Sequence, residues 1–281
     1  MVCEKCHKEN RSIAKFCKWC GQPLVSQDLL DKLVGLDEVK KQLKTIVDTY
    51  TYLRSRKDIA NVRISVNAIV IGETGTGKTA LAEILRDYFY QHKIIEKPKL
   101  TMVDAVDYQR FVDKWDDNIK KAKDGILFFD NVQKLLPDKY SNQVNPLDKL
   151  FVEMDKWEDN PIVIISGLTK GLEDFLESNP AVANRFKYTF RMPTPGYQEL
   201  TDICKLNLRI KYGITEFSEE ADSQLLRFFK YQVKIKDETF GNGHLATRLL
   251  KIFSPSLSVV VLMPSRWRSR ISRAMYLRSA L

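Results

Sequence analysis

No run of apolar residues in this sequence approaches the roughly 20 needed to cross a bilayer as a helix. The longest late one, Leu257 to Met263, is short and interrupted by Ser258. The opening Met1-Val2-Cys3-Glu4-Lys5 lacks the apolar core of a secretory signal, so the expected compartment is the cytoplasm, with no membrane span. Acidic residues are missing altogether from 254–281, which hold Arg266, Arg268, Arg270, Arg273 and Arg278. Those five arginines supply more than half of the +9 net charge and leave +4 over the other 253 residues. With lysine and carboxylates interleaved through the remainder, this balance describes a solvated surface and not a nucleic-acid-binding stripe. Cysteine is scarce as well. There are five, and only Cys204 lies outside the first 20 residues.

The four clustered cysteines form Cys3-x-x-Cys6 and Cys17-x-x-Cys20. Two such knuckles across a ten-residue loop suit tetrahedral Zn²⁺ held by four thiolates. Residues 1–25 have too little core to fold without a staple of this kind. Two disulfides are the competing arrangement, disfavoured in a reducing compartment. His7 beside Cys6 is a bystander when four thiolates are present. Such a ribbon stabilises itself and does not specify what it binds, so a protein, a nucleic acid and a neighbouring subunit are all open partners.

The most informative stretch is Gly72-Glu73-Thr74-Gly75-Thr76-Gly77-Lys78-Thr79, which fits G-x-x-x-x-G-K-[ST]. It is preceded by the apolar run Asn67–Ile71 and followed by the helix former Ala80–Arg86, the strand–loop–helix setting the motif needs. The glycines let successive N–H groups of Gly72, Thr74, Gly75, Thr76, Gly77 and Ala80 turn around a phosphate. The helix N-terminus adds partial positive charge, Lys78 reaches the β/γ oxygens, and the Thr79 hydroxyl is available to Mg²⁺. A nucleoside triphosphate is the implied ligand.

Further strands are expected at 99–103, 125–130 and 162–165, with helices from Gly35, over Asp113–Lys123 and from Pro146. Helices alternating with near-continuous apolar strands imply an α/β fold: a P-loop NTPase parallel sheet sandwiched by helices. From Thr194 the pattern turns helical. The expected domains are a zinc ribbon over 1–25, a core over 26–192, a small helical lid over 193–253 and a basic tail over 254–281. Cys204 reads as a core residue of a lid helix. Phe128-Phe129-Asp130 resembles a Walker B strand, with Asp130 holding Mg²⁺ through water.

Taken together, Gly35-Leu36 before a basic amphipathic helix, the P-loop, the Walker B strand, Phe175-Leu176-x-Ser178-Asn179-Pro180-x-x-x-Asn184-Arg185-Phe186 and Phe240-Gly241-Asn242-Gly243-His244-x-x-x-Arg248 resemble an AAA+ ATPase. They are similar to the CbxX/CfxQ branch, which includes red-type rubisco activases and stage V sporulation protein K relatives, over roughly residues 30–253. The resemblance implies ATP as the nucleotide, since a P-loop itself sees only phosphates. It implies Arg185 as an arginine finger completing a neighbouring subunit's site in a ring, plausibly a hexamer. It also implies Arg248 as the lid arginine at the phosphates, Ser166 in the sensor place, and a protein client to be remodelled.

Two departures bear on activity. The branch places glutamate after the Walker B aspartate; here it is Asn131, whose amide can hold a water but cannot accept its proton. Hydrolysis is then slow or absent with binding intact, and neither Glu73, Glu153 nor Asp155 is an assignable substitute. The pore-loop region Asp107–Val112 lacks the expected glycine, so Tyr108 and Phe111 read equally as client-gripping or core residues. The tail 254–281 reads as a disordered basic arm, a membrane-surface or nucleic-acid contact, or a non-native reading frame. Two functions follow: an ATP-hydrolysing ring that remodels a protein client, with Lys78, Asp130, Asn131, Arg185 and Arg248 catalytic, or an ATP-switched binding module that hydrolyses little. A nucleic-acid remodeller is a third, resting on the ribbon and mild basicity.

Overall fold

The computed structural model describes residues 28–56, 65–136, 146–157, 160–212, 217–235 and 241–253, with Lys8, Lys18 and Trp19 besides. The four clustered cysteines, Phe240 and the tail 254–281 lie outside the described residues.

Five short strands carry the fold: β1 (Ala68–Gly72), β2 (Leu100–Asp104), β3 (Ile126–Asp130), β4 (Ile162–Gly167) and β5 (Tyr188–Met192). Every ladder between them is parallel, in the order β2-β3-β4-β1-β5. Because side chains alternate across a strand, each central strand feeds two cores. Val70, Phe128, Ile164 and Phe190 pack on one face, against α1 (Asp37–Ser55) and α2 (Lys78–Gln91). Ile69, Leu127, Phe129, Val163 and Ile165 pack on the other. There they meet α3 (Tyr108–Asp113), α4 (Trp115–Ala122), α5 (Asp148–Met154) and α6 (Thr169–Ser178). A parallel sheet covered on both faces has no use for polar residues in its middle strands, which is why β1, β3 and β4 read as unbroken apolar runs. The last helices are α7 (Pro180–Ala183), α8 (Tyr197–Tyr212), α9 (Glu219–Lys234) and α10 (Gly243–Phe253). Of these, α8, α9 and α10 share a separate small core of Leu200, Cys204, Leu208, Phe229, Ala246 and Leu249.

Three elements differ from the sequence expectation. Strand β5 has no counterpart among the expected strands. In its Tyr-Thr-Phe-Arg-Met only Phe190 and Met192 are buried, and Lys187 and Arg191 on either side of its centre interrupt the apolar signal. It is an edge strand, paired with β1 among the described residues, and its entry is fixed by Asn67, whose carbonyl accepts the Lys187 and Tyr188 N–H groups. The charged helix expected over Asp113–Lys123 is α4, but an unexpected short helix, α3, precedes it, the two being broken apart at Lys114 (φ −121°, ψ 40°). The Asn118 side-chain amide donates to the Phe111 carbonyl at 3.0 Å, satisfying the end of α3. This break lets Phe111 and Trp115 both face the sheet, ring edges against one another at 5.5 Å.

The ambiguity over Tyr108 and Phe111 is settled by burial: they are 3% and 5% exposed. Tyr108 packs edge-on to Phe129, and its hydroxyl donates to the Pro146 carbonyl at 2.8 Å. Burial, with Asp148 nearby, raises its phenol to about 12. These rings hold the sheet and are not free to grip a polypeptide. Ahead of α1, a 3₁₀ turn over Leu29–Lys32 that is not among the expected elements places Leu30 and Leu33 in the first core.

Candidate functional site

The P-loop begins where β1 ends. Between Gly72 and Lys78 the chain must reverse around a point, and two positions demand φ values that an L side chain resists: Gly75 at +75° and Gly77 at +96°. The turn is tied by Thr76, whose N–H and Oγ1 both donate to the Glu73 carbonyl, at 3.3 and 2.8 Å. Lys78 opens α2, and its ammonium folds back over the loop, donating to the Gly72 and Glu73 carbonyls at 2.7 and 2.9 Å. Burial lowers the Lys78 pKa, with Asp130 and Glu73 pulling against that shift. A buried ammonium satisfied by two carbonyls of a flexible turn is poised for exchange onto stronger anionic acceptors.

At the same sheet edge β3 delivers Asp130. One of its oxygens, Oδ2, accepts the Thr79 hydroxyl at 3.0 Å. The other, Oδ1, accepts the Asn131 N–H at 2.9 Å and the buried Ser166 hydroxyl from β4. Hydroxyl plus carboxylate is an oxygen donor pair of the kind a hard divalent cation takes alongside phosphates, so Thr79 and Asp130 fit Mg²⁺. Among the described residues no group of three or more His, Cys, Asp or Glu is arranged to hold a metal by itself.

Asn131 sits in the left-handed region at φ 58°, a conformation asparagine tolerates better than most residues. Its side-chain nitrogen donates to Asp104 Oδ2 at 2.7 Å. Asp104 ends β2 and is the register partner of Asp130. Burial would raise the Asp104 carboxyl, but the Val106 N–H, the Asn131 amide and Lys134 outweigh it and hold it below the ordinary carboxylate value.

These groups open on a cavity of about 530 Å³, within the range of small-molecule sites. Thr74 through Ala80, Asp130 and Asn131 form its polar end; Leu33, Val34, Leu36, Ile203 and Leu206 form an apolar end that suits a base. Helix α10 closes it with Gly243, His244 and Thr247. The Gly241–Gly243 turn docks directly on the P-loop: the Gly243 N–H donates to the Gly75 carbonyl and the Asn242 amide to the Thr74 carbonyl, both at 2.8 Å.

Arg248, expected at the phosphates, lies elsewhere. Arg248 is exposed and lines no part of the cavity; the α10 side chains that do are His244, one helical turn earlier, and Thr247, the residue just before it. Arg185 is likewise outside its own chain's cavity. It forms a two-pronged pair with Asp155, Nε to Oδ1 at 3.0 Å and Nη2 to Oδ2 at 2.6 Å, while Nη1 donates to the Ala181 carbonyl at 2.6 Å. The apolar base end escapes sequence reasoning because Val34, Leu36, Ile203 and Leu206 come from segments nearly 170 residues apart. No local spacing links them.

The chain has relatives among known proteins. Residues 68–194 match the family described as "ATPase family associated with various cellular activities (AAA)". The chain is 24% identical over 235 residues to stage V sporulation protein K of Bacillus subtilis (strain 168), covering 79% of this chain and 71% of that protein. It is 28% identical over 247 residues to the ESX-1 secretion system protein EccA1 of Mycobacterium leprae (strain TN), covering 80% of this chain and 42% of that one. A similar likeness, 25% over 221 residues, joins it to the ESX-3 secretion system protein EccA3 of Mycobacterium tuberculosis (strain ATCC 25618 / H37Rv), covering 75% of this chain and 35% of that one. The chain thus spans less than half the length of these secretion-system relatives. Among the described residues no helix is long and apolar enough to cross a membrane. The matched segment runs from β1 to just past β5 and contains the P-loop, Asp130, Asn131 and Arg185, so the likeness to AAA ATPase domains takes in the site described above.

Proposed function

We propose that this protein binds ATP with Mg²⁺ in the cavity between the P-loop and α10, hydrolyses it, and works as a ring of identical subunits on a protein client. The observation that carries the reading is the Lys78 ammonium, parked on two P-loop carbonyls beside the Thr79–Asp130 pair. The α- and β-phosphates would take the loop N–H groups and the lysine, and the base would enter the apolar end. What bound Mg²⁺ supplies is neutralisation of phosphate charge. The protein supplies orientation: Ser166 fixes Asp130 from β4, and the Gly241–Gly243 turn couples the lid to the loop.

The ring is supported by Arg185. A guanidinium outside its own chain's cavity, just after α7, does nothing for phosphates unless it reaches a neighbouring copy. Release from Asp155 would then accompany assembly. A second reading, an ATP-dependent switch with little turnover, is favoured by Asn131, which offers no proton acceptor. The N-terminal Cys3, Cys6, Cys17 and Cys20 would hold Zn²⁺ and dock the client or a neighbouring subunit. Steady-state ATP turnover measured alongside particle mass tests the main reading. A nucleotide-dependent rise in mass, with turnover that Arg185→Ala abolishes, supports it. A monomer whose turnover ignores Arg185 sinks the ring. Metal analysis of purified protein against a Cys3→Ser/Cys6→Ser variant tests the zinc proposal, one ion per chain being expected in the native form alone.

A further inference from the structure

The position after Asp130 holds an amide, and what that amide offers the cavity depends on which way round it sits. We infer that Asp104 is a positioning residue that locks the Asn131 amide with its carbonyl oxygen toward the nucleotide, so that Asn131 holds the attacking water as an acceptor. This rests on the ATP-hydrolysing reading above.

The orientation follows from donor and acceptor chemistry. A carboxylate only accepts, so the atom of Asn131 that lies 2.7 Å from Asp104 Oδ2 must be the NH₂ group. Asp104 cannot swing away, because its Oδ1 accepts the Val106 N–H at 3.0 Å and caps the turn over Ala105–Asp107. Asn131 is held from its own side too: its N–H is tied to Asp130 Oδ1, and its backbone sits in the left-handed region. With Nδ2 used, Oδ1 is the free end of the amide, and among the described residues no donor is bonded to it. Asn131 lines the cavity beside Asp130 and the P-loop.

An acceptor there is the chemically useful polarity. A water donating one O–H to Asn131 Oδ1 keeps a lone pair for phosphorus. A water accepting from an NH₂ group has one of its two lone pairs tied up and its oxygen made less nucleophilic. In the transfer, the water oxygen bonds to the γ-phosphorus and the bond to the β,γ-bridging oxygen breaks. The electron pair stays on ADP, and both water protons leave with the released phosphate, one still on the attacking oxygen and the other passed to a phosphoryl oxygen. A loose transition state asks for orientation more than for a base, so an amide suffices when it faces the right way.

The decisive variants are Asp104→Asn and the exchange Asp104→Asn/Asn131→Asp, in the full chain. In Asp104→Asn the cap survives, because an asparagine oxygen can still accept the Val106 N–H. The new NH₂ then faces Asn131, whose amide must flip and turn its own NH₂ to the cavity. Expected is a fall in kcat of about 10-fold to 100-fold, with KM and calorimetric affinity for Mg-ATP within about 2-fold. In the exchanged pair, the carboxylate now on the β3 side accepts from the amide now on the β2 side. Its second oxygen faces the cavity, and turnover returns to the native level or above. Native turnover with Asp104→Asn unchanged overturns the inference and leaves the ATPase reading standing. So does loss of turnover that the exchange fails to restore while binding persists. A native chain that binds nucleotide without turnover removes both the water-holding role and hydrolysis, and one that binds none removes the nucleotide reading itself.

Discussion

Alanine at Gly75 would place a methyl carbon 2.2 Å from the Gly241 carbonyl oxygen, where ordinary contact begins at 3.4 Å. That oxygen belongs to backbone and cannot rotate aside, so the Gly241–Gly243 turn must retreat from the P-loop by more than an ångström. A retreat of that size carries the Gly243 N–H···Gly75 and Asn242 Nδ2···Thr74 contacts, each 2.8 Å, beyond hydrogen-bonding range. Two such bonds contribute about 2 kcal/mol to lid docking, equivalent to roughly a 30-fold shift toward the undocked lid. A separate cost of about 1–2 kcal/mol, for a side chain at φ +75°, falls on the loop whether or not the lid is docked. Amide hydrogen exchange without nucleotide separates the two. Gly243 and Leu245, at the start of α10, should lose protection by about 30-fold, with Leu81 and Leu85 in α2 nearly unchanged. If Gly243 exchanges at the native rate in a folded Gly75→Ala chain, the lid does not rest on the loop as argued.

Other expected outcomes follow from single groups. Lys78→Ala removes an ammonium whose charge-assisted bonds to phosphate oxygens contribute about 1.5–3 kcal/mol each, so Mg-ATP affinity by calorimetry should fall at least about 100-fold with the fold intact. Burial pushes the Cys204 thiol from 9.0 to about 12; because the unfolded chain gives up that proton first, this site's contribution to stability falls as pH rises from about 9 to about 12. At pH 8, mass mapping after brief alkylation should accordingly find Cys204 unmodified until denaturant is added. Phe129→Ala empties a ring that packs against Tyr108 and Phe111 and should cost about 3–5 kcal/mol in urea unfolding, leaving Asp130 poorly held and nucleotide affinity reduced.

What could be read from the chain and what could not divide along a physical line. Strands β1, β3 and β4 were legible because burial on two faces forces consecutive apolar residues, and the P-loop because phosphate binding dictates glycine and lysine at fixed spacing. Strand β5 is covered unevenly at an edge, and its Arg191 tolerates solvent, pairing with Glu173 of α6, so its composition carries no such constraint. Arg185 and Arg248 were picked out as residues by motif, but a motif carries no orientation: one is held by Asp155 and the other faces solvent. His244 stands inside the glycine-asparagine-glycine block and could have been found there. The sign that it lines the cavity is three-dimensional, since it depends on the turn at Gly241 docking on Gly75.

Asp130 shows why the site should respond as one body. Its two oxygens collect a hydroxyl from α2, a hydroxyl from β4 and the N–H of the next residue, so α2, β3 and β4 meet in one carboxylate. The neighbouring carboxylate, Asp104, is joined to it through Asn131, whose backbone holds Asp130 and whose side chain holds Asp104. A cation entering between Thr79 and Asp130 must loosen the 3.0 Å bond between them. Any shift of Asp130 is then passed to Asn131 through its N–H, and from there to β2. Under the proposed reading, occupancy by metal and nucleotide would reach Asn131 through the first two of these hydrogen bonds and Asp104 through the third. Asn131→Gly should break that line while sparing the left-handed turn, so that nucleotide still binds and exchange at Val106, capped by Asp104, no longer slows when it does.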